Sequence, residues 1–73
     1  MPSSAQNRRY RRLVSRLRDA RKRVKLTQAD VARRLRKHQS WVSKSETGER
    51  RLDPVEFHDL ARLYDVPMDE FFE

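Results

Sequence analysis

The chain has 73 residues, with 18 Lys and Arg against 11 Asp and Glu, no cysteine and one glycine. This length predicts one domain with a small core, because so short a chain buries only about 60% of its unfolded surface. The absence of cysteine excludes disulfides, cysteine-based zinc sites and thiol nucleophiles. The sequence contains no run of about 18 apolar residues, so no membrane span is predicted.

Charge is distributed unevenly along the chain. Residues 8–25 carry a net charge of +9, residues 26–53 carry +3 and residues 54–73 carry −5. A basic half joined to an acidic half is typical of a protein with one side facing a polyanion. Charge alone does not distinguish nucleic acid from an anionic membrane, or either from a solvated basic face.

The N-terminal part is predicted to be a short arm followed by a helix. Residues 1–7 are polar and are expected to form a flexible arm. From Arg8 onward, apolar residues such as Leu13 and Leu17 recur at helical spacing, with arginines between them. This pattern predicts a first helix of about residues 8–24.

The next two helices are separated by only a short polar break. Thr27 and Asp30 have the spacing of a capping box, which predicts a second helix of about residues 28–35. A third helix of about residues 39–46 follows and ends before the single glycine, Gly48. This spacing is typical of a helix-turn-helix, in which the second helix of the pair enters the DNA major groove.

The C-terminal part has its own start signal. Asp53, Pro54 and Glu56 occupy cap, first and third positions, which predicts a fourth helix of about residues 54–64. A break containing a proline follows, and residues 68–72 can add a last short turn.

These elements predict an all-α fold with five short helices in a compact bundle. No alternating strand segment, internal repeat or long linker divides the chain. Residues 8–73 are therefore expected to form a single domain, with the helix-turn-helix motif at about residues 28–47.

The stretch from Leu17 to Phe72 resembles the lambda-repressor/Cro-like helix-turn-helix domain family. The resemblance implies a five-helix DNA-binding domain, often dimeric, of the kind used by bacterial and phage transcription regulators. The matching residues are Arg21, Leu26, Thr27, Gln28, Val31, Ala32, Leu35, Gln39, Ser40, Val42, Ser43, Glu46, Gly48, Arg50, Leu60, Ala61 and Val66.

The third helix carries a polar face opposite Val42 and Glu46. Glutamine side chains pair with adenine, and lysine side chains donate to guanine. Each such contact favours the correct base over a wrong one by about 1–3 kcal/mol. In the resembled family these helix positions read bases, whereas the alternative is a face that only contacts solvent. The expected base-reading residues are Gln39, Ser40, Ser43 and Lys44.

Arg21 interrupts an otherwise apolar helix face, and a buried guanidinium requires an anion. Related domains pair this position with the one occupied by Glu46, so an Arg21–Glu46 ion pair is expected. Gln28 lies in a first helical turn, where free amides favour an anion, and the resemblance implies that it clamps a phosphate and supports Gln39.

The loop after the third helix is expected to contact the DNA backbone, which positions the domain without reading sequence. For Trp41, stacking on sugar and phosphate and packing over the first two helices both stay open. The expected phosphate-contacting residues are Gln28, Arg21, Trp41, Thr47, Arg50 and Arg51.

Four positions depart from the family. Lys25 and Arg36 stand where glycine is common, and a side chain costs about 1 kcal/mol if the backbone there is left-handed. Ser45 stands where a bulky apolar residue is usual, so a loss of packing is expected. His38 replaces a common Ser or Thr cap, and that cap is expected to be weak.

The sequence thus predicts a sequence-specific, repressor-like regulator that binds double-stranded DNA. We expect a homodimer on a two-fold symmetric operator, joined through Leu52, Val55, Phe71 and Phe72, in the bacterial or phage-infected cytoplasm at the nucleoid. No catalytic activity, metal, cofactor, small-molecule ligand or membrane partner is expected. The alternative is a basic amphipathic helix that binds polyanions or membrane surfaces nonspecifically.

Overall fold

The computed structural model describes residues 4–72, and within that range the protein is all-helical, as predicted. Four α-helices and one 3₁₀ segment follow each other along the chain: α1 (Ser4–Arg23), α2 (Gln28–Leu35), α3 (Gln39–Thr47), α4 (Pro54–Leu63) and the 3₁₀ segment (Met68–Phe72). The expected count of five α-helices is therefore wrong by one. The last segment has five residues, too few for successive α-helical bonds, and instead closes i→i+3 bonds such as Glu70 N to Pro67 O at 3.1 Å.

The first helix begins earlier than the sequence predicted. Residues 4–7, which were expected to belong to the arm, form the first turn of α1. This segment contains no proline or glycine, and extending an existing helix costs much less than nucleating one. Residues 1–3 of the predicted arm lie outside the described residues.

Both capping boxes predicted from the sequence are present. At the start of α2, Asp30 N donates to Thr27 Oγ1 at 3.1 Å and Thr27 N donates to Asp30 Oδ2 at 2.9 Å. Asp53 and Glu56 make the same reciprocal bonds at the start of α4, at 2.8 and 3.0 Å. His38 makes no side-chain bond at the start of α3, which confirms the weak cap expected there.

Three turns require a left-handed backbone at residues other than glycine. Lys25, Arg36 and Asp65 have φ of 61°, 57° and 58°. The turn geometry of the resembled family is thus retained at Lys25 and Arg36 despite the side chains. Each such residue costs about 1 kcal/mol relative to glycine, which lowers the stability of a small domain.

Replacing Arg36 with glycine is expected to raise the free energy of unfolding by about 1 kcal/mol, because it relieves the left-handed strain at the end of α2. Arg12→Gly, at an exposed position inside α1, is the matched control and should lower it by about 1 kcal/mol. Urea unfolding measures both changes. A loss of stability in both variants would contradict the assigned strain.

The core lies where α1, α2, α3 and α4 meet. Val31 of α2 and Val42 of α3 are the largest fully buried side chains, and Val42 seats the third helix as the sequence predicted. Ser45 is buried beside a cavity of about 10 Å³, and its hydroxyl donates to Trp41 O at 2.7 Å. The loss of packing expected at this position stays a prediction.

Candidate nucleic-acid interface

The outer face of α3 is polar and accessible. Gln39, Ser40 and Lys44 are exposed and Ser43 is half-buried, whereas Val42 on the inner face is buried. The structure therefore brings all four predicted base-reading side chains to one surface of a single helix. Their donors and acceptors match those of base edges in a major groove.

One buried polar cluster holds α3 against α1 and α2. Arg21 Nε lies 2.6 Å from Glu46 Oε2 and Arg21 Nη2 lies 3.1 Å from Oε1, a two-pronged ion pair between α1 and α3. Gln28 of α2 donates its amide to Glu46 Oε1 at 3.0 Å, and Arg21 Nη1 donates to Leu26 O at 2.8 Å. The side chains of Arg21 and Glu46 are only 10% and 9% exposed. Three helices are thus joined at the carboxylate of Glu46.

A basic hollow lies beside this cluster at the N-terminal end of α2. It encloses about 460 Å³ and is lined in part by Arg21, Lys22, Lys25, Gln28 and Gln39. The first turn of α2 adds free amides and the positive end of its dipole. Gln28 donates its amide to Glu46 Oε1 and so contacts the ion pair. Its support of Gln39, which the resemblance implied, stays a prediction.

Arg50, an expected phosphate contact, is half-buried, and its guanidinium forms an ion pair with α4. Nη1 and Nη2 donate to the two carboxylate oxygens of Glu56 at 3.0 and 2.8 Å. These hydrogen bonds, together with one from Asp53 N, lower the pKa of Glu56 below its usual value. Arg50 therefore fixes the loop after α3 to the first turn of α4.

Trp41 adopts the packing alternative left open by the sequence. Its ring is half-buried against the core and lies between Lys37 Nζ, at 5.3 Å from the centroid, and Arg50 Cζ, at 5.1 Å. The indole Nε1 is buried and has no hydrogen-bond partner within residues 4–72. The ring thus serves as a platform for two cations. The stacking of Trp41 on sugar and phosphate stays a prediction.

The remaining two phosphate candidates differ in their surroundings. Thr47 is exposed at the end of α3, where its hydroxyl donates to Lys44 O at 3.1 Å. Arg51 is exposed and stacks on the ring of Tyr10, with Cζ 4.3 Å from the centroid. The hydroxyl of Tyr10 accepts from Leu52 N at 2.9 Å, so α1 also holds this loop.

Sequence reasoning missed Lys37, Tyr10 and the pairing of Arg50 with Glu56. Lys37 lies in the turn between α2 and α3, outside both helices, so helical spacing gave no signal for its contact with Trp41. Tyr10 was assigned to the apolar face of α1, and nothing local in the sequence indicated a bond to a residue 42 positions away.

Residues 4–72 contain neither a candidate metal site nor a candidate membrane span. No group of three or more His, Asp or Glu side chains has the arrangement of a metal site. No helix there is both long and apolar enough to span a membrane.

Comparison with known families agrees with this geometry. A family model described as a helix-turn-helix domain matches residues 12–71, which is most of the chain. Comparison with curated proteins and with solved structures gave no match. The resemblance to lambda-repressor/Cro-like domains is confirmed, and the family suggests a DNA-binding regulator. Proteins of this family are typically non-enzymatic. The chain belongs to the helix-turn-helix domain family.

Proposed function

We propose that this protein is a sequence-specific, repressor-like transcription regulator that inserts α3 into the major groove of double-stranded DNA. The observation that carries this proposal is the seating of α3, which buries Val42 and fixes Glu46 while the opposite face stays polar. A helix held on one side and hydrogen-bonding on the other suits base readout. The proposed base-reading residues are Gln39, Ser40, Ser43 and Lys44.

The DNA backbone is proposed to lie across the hollow at the start of α2 and along the end of α3. Gln28, Arg21 and Thr47 border these surfaces, and Lys22 and Lys25 add charge beside the hollow. Arg50 and Arg51 act here by positioning the loop, through Glu56 and Tyr10 respectively. No catalytic role or cofactor belongs to this proposal.

Two-fold symmetric binding by a homodimer completes the proposal, because one domain reads only a few base pairs. Half-sites are then about 34 Å apart. Of the residues predicted for the dimer surface, Phe71 is buried and packs edge-on against Phe57, and Leu52 is partly buried against the core. Val55 and Phe72 are 69% and 61% exposed and form the proposed contact. The proposed site of action is the nucleoid in the cytoplasm of a bacterium or phage host.

Selection of preferred duplexes from random oligonucleotides tests this function directly. A defined two-fold motif is expected, and sedimentation should show two protein chains on one selected duplex. Competition by random DNA as strong as that by the selected duplex would instead favour the nonspecific polyanion binder suggested by residues 8–25.

Affinity for the selected duplex is expected to fall steeply with salt. If the dimer contacts six to ten phosphates, the slope of log K against log salt should be about −5 to −9. Titrations of labelled duplex from 50 to 300 mM salt (about a sixfold range) measure it. A nearly flat response would contradict the backbone contacts proposed above.

A further inference from the structure

A second cleft lies between α1 and the C-terminal end of α3. It has a volume of about 250 Å³ and opens to solvent. Glu46 borders this cleft, while its partner Arg21 borders the hollow at the start of α2, so the ion pair separates the two. The side chains that line most of the cleft are those of Arg11, Ser15, Arg18, Glu46 and Thr47, with Gly48 at its end.

The cleft is electropositive, and its cations are available. Arg11 and Arg18 are exposed, and neither forms an ion pair within residues 4–72. They are seven residues apart on one helix, so they share a face and lie about 10 Å from each other. The one carboxylate at the cleft, that of Glu46, is already neutralised by Arg21. An anion in the cleft therefore meets two free guanidinium groups.

The backbone at Gly48, where α3 ends, is accessible from the cleft. Gly48 has φ of +87°, and apart from Gly48 and its two chain neighbours no heavy atom lies within 4 Å of the place where a Cβ would be. The neighbouring Thr47 side chain is exposed. A group as large as a phosphate can thus approach the end of α3 without displacing a side chain.

The two arginines also continue toward the hollow. Lys22 follows Arg18 by four residues on the same face of α1, and Lys25 follows at the end of the helix; both border the hollow. We call Arg11, Arg18, Lys22 and Lys25 the α1 track. None of these four was predicted to contact DNA, and Arg11 lies outside the residues matched by the family model.

We propose that the α1 track binds the phosphates of one DNA strand, with the Arg11–Arg18 cleft as a second phosphate site beyond the hollow. This inference rests on the proposed function and adds a backbone contact made by α1. The chemistry is that of phosphodiester oxygens with unpaired guanidinium groups, which positions the domain without reading bases. The strand leaves the hollow at Lys22 and passes the ion pair to reach Arg18 and Arg11.

The test compares two double variants of the whole chain on the selected duplex. Arg11→Gln with Arg18→Gln removes the cleft cations, and Arg12→Gln with Arg23→Gln removes two exposed cations from another face of α1. The cleft variant is expected to lose at least tenfold in affinity near 0.1 M salt. Its salt slope should become shallower by about 3.6, because the two protomers together lose four contacts at about 0.9 each. The control should keep the slope of the unmodified protein.

Phosphate-ethylation interference supplies a second measurement. Interference at the phosphates that face the cleft should disappear in the cleft variant alone, while the selected base sequence stays the same. If the unmodified protein prefers no duplex, the proposed function fails and this inference falls with it. If it binds its duplex specifically but both double variants have equal slopes and interference patterns, the α1 track is overturned and the proposed function stands. Thermal melting of both variants verifies that each is folded.

Discussion

Replacing Glu46 with alanine is expected to lower the free energy of unfolding by about 3–5 kcal/mol. The substitution leaves the guanidinium of Arg21 buried with Leu26 O as its remaining acceptor, and it removes the acceptor of Gln28. Removing one partner of a buried ion pair destabilises a protein by about this amount, because the other charge stays buried without its partner. The total free energy of unfolding of a domain of this length is roughly 4–11 kcal/mol, at about 0.05–0.15 kcal/mol per residue. Urea unfolding monitored by circular dichroism should therefore find the variant partly or fully unfolded.

Glu49→Ala is the matched control, because it removes an exposed carboxylate just after α3. Its effect should stay within about 0.5 kcal/mol. The double variant Arg21→Met with Glu46→Leu replaces the pair by apolar groups and should recover most of the lost stability. A loss of less than about 1 kcal/mol in Glu46→Ala would show that the three-helix junction does not depend on this carboxylate.

The double variant also separates the structural role of the cluster from its role in binding. If Arg21 only holds α3 in place, the refolded double variant should bind the selected duplex as the unmodified protein does. If Arg21 also contacts a phosphate, affinity should fall for all sequences alike, since backbone contacts carry no base preference.

The parts of the fold that the sequence predicted well are those determined by residues close in the chain. The capping boxes at Thr27 and Asp53 each depend on a partner three residues away, and the predicted starts of α2 and α4 agree with the structure. The Arg21–Glu46 pair spans 25 residues, and it was reachable only because the family resemblance placed both positions.

The parts that sequence reasoning missed depend on the path of a loop. Arg50 and Glu56 are six residues apart across a turn, and no helical or strand periodicity predicts that they meet. Arg50 was assigned to a phosphate from its place in the loop after the third helix, and that contact stays a prediction. The same reasoning could not place the ring of Tyr10 under Arg51, because that contact joins the start of α1 to the loop before α4.

These contacts change the expected role of the loop after α3. Arg50 is anchored on Glu56 and Trp41, and Arg51 is anchored on Tyr10, so the loop is held from α3, α4 and α1. A loop fixed in this way holds the end of α3 in place. Arg11 and Arg18 of α1, by contrast, form no ion pair within residues 4–72.

Replacing Lys44 with alanine is expected to relax the preference for one base pair of the selected site by about 1–3 kcal/mol, or roughly 5- to 150-fold. Lys44 is exposed on the outer face of α3, so the loss should fall on the cognate base pair. Gln39→Ala should relax a different position of the same half-site, because the two residues are separated by more than one helical turn. Repeating the duplex selection with each variant, followed by competition titrations against singly substituted sites, measures both effects.

Arg62→Ala removes an exposed positive charge from α4, away from α3, and should leave the selected sequence unchanged. Base-reading residues are distinguished from phosphate contacts by which duplexes lose affinity, not by how much affinity is lost. A base-reading side chain changes the ranking of sequences, whereas a phosphate contact weakens every sequence by the same factor. If Lys44→Ala and Gln39→Ala both weaken all duplexes equally, α3 does not read bases, and the +9 charge of residues 8–25 accounts for binding by itself.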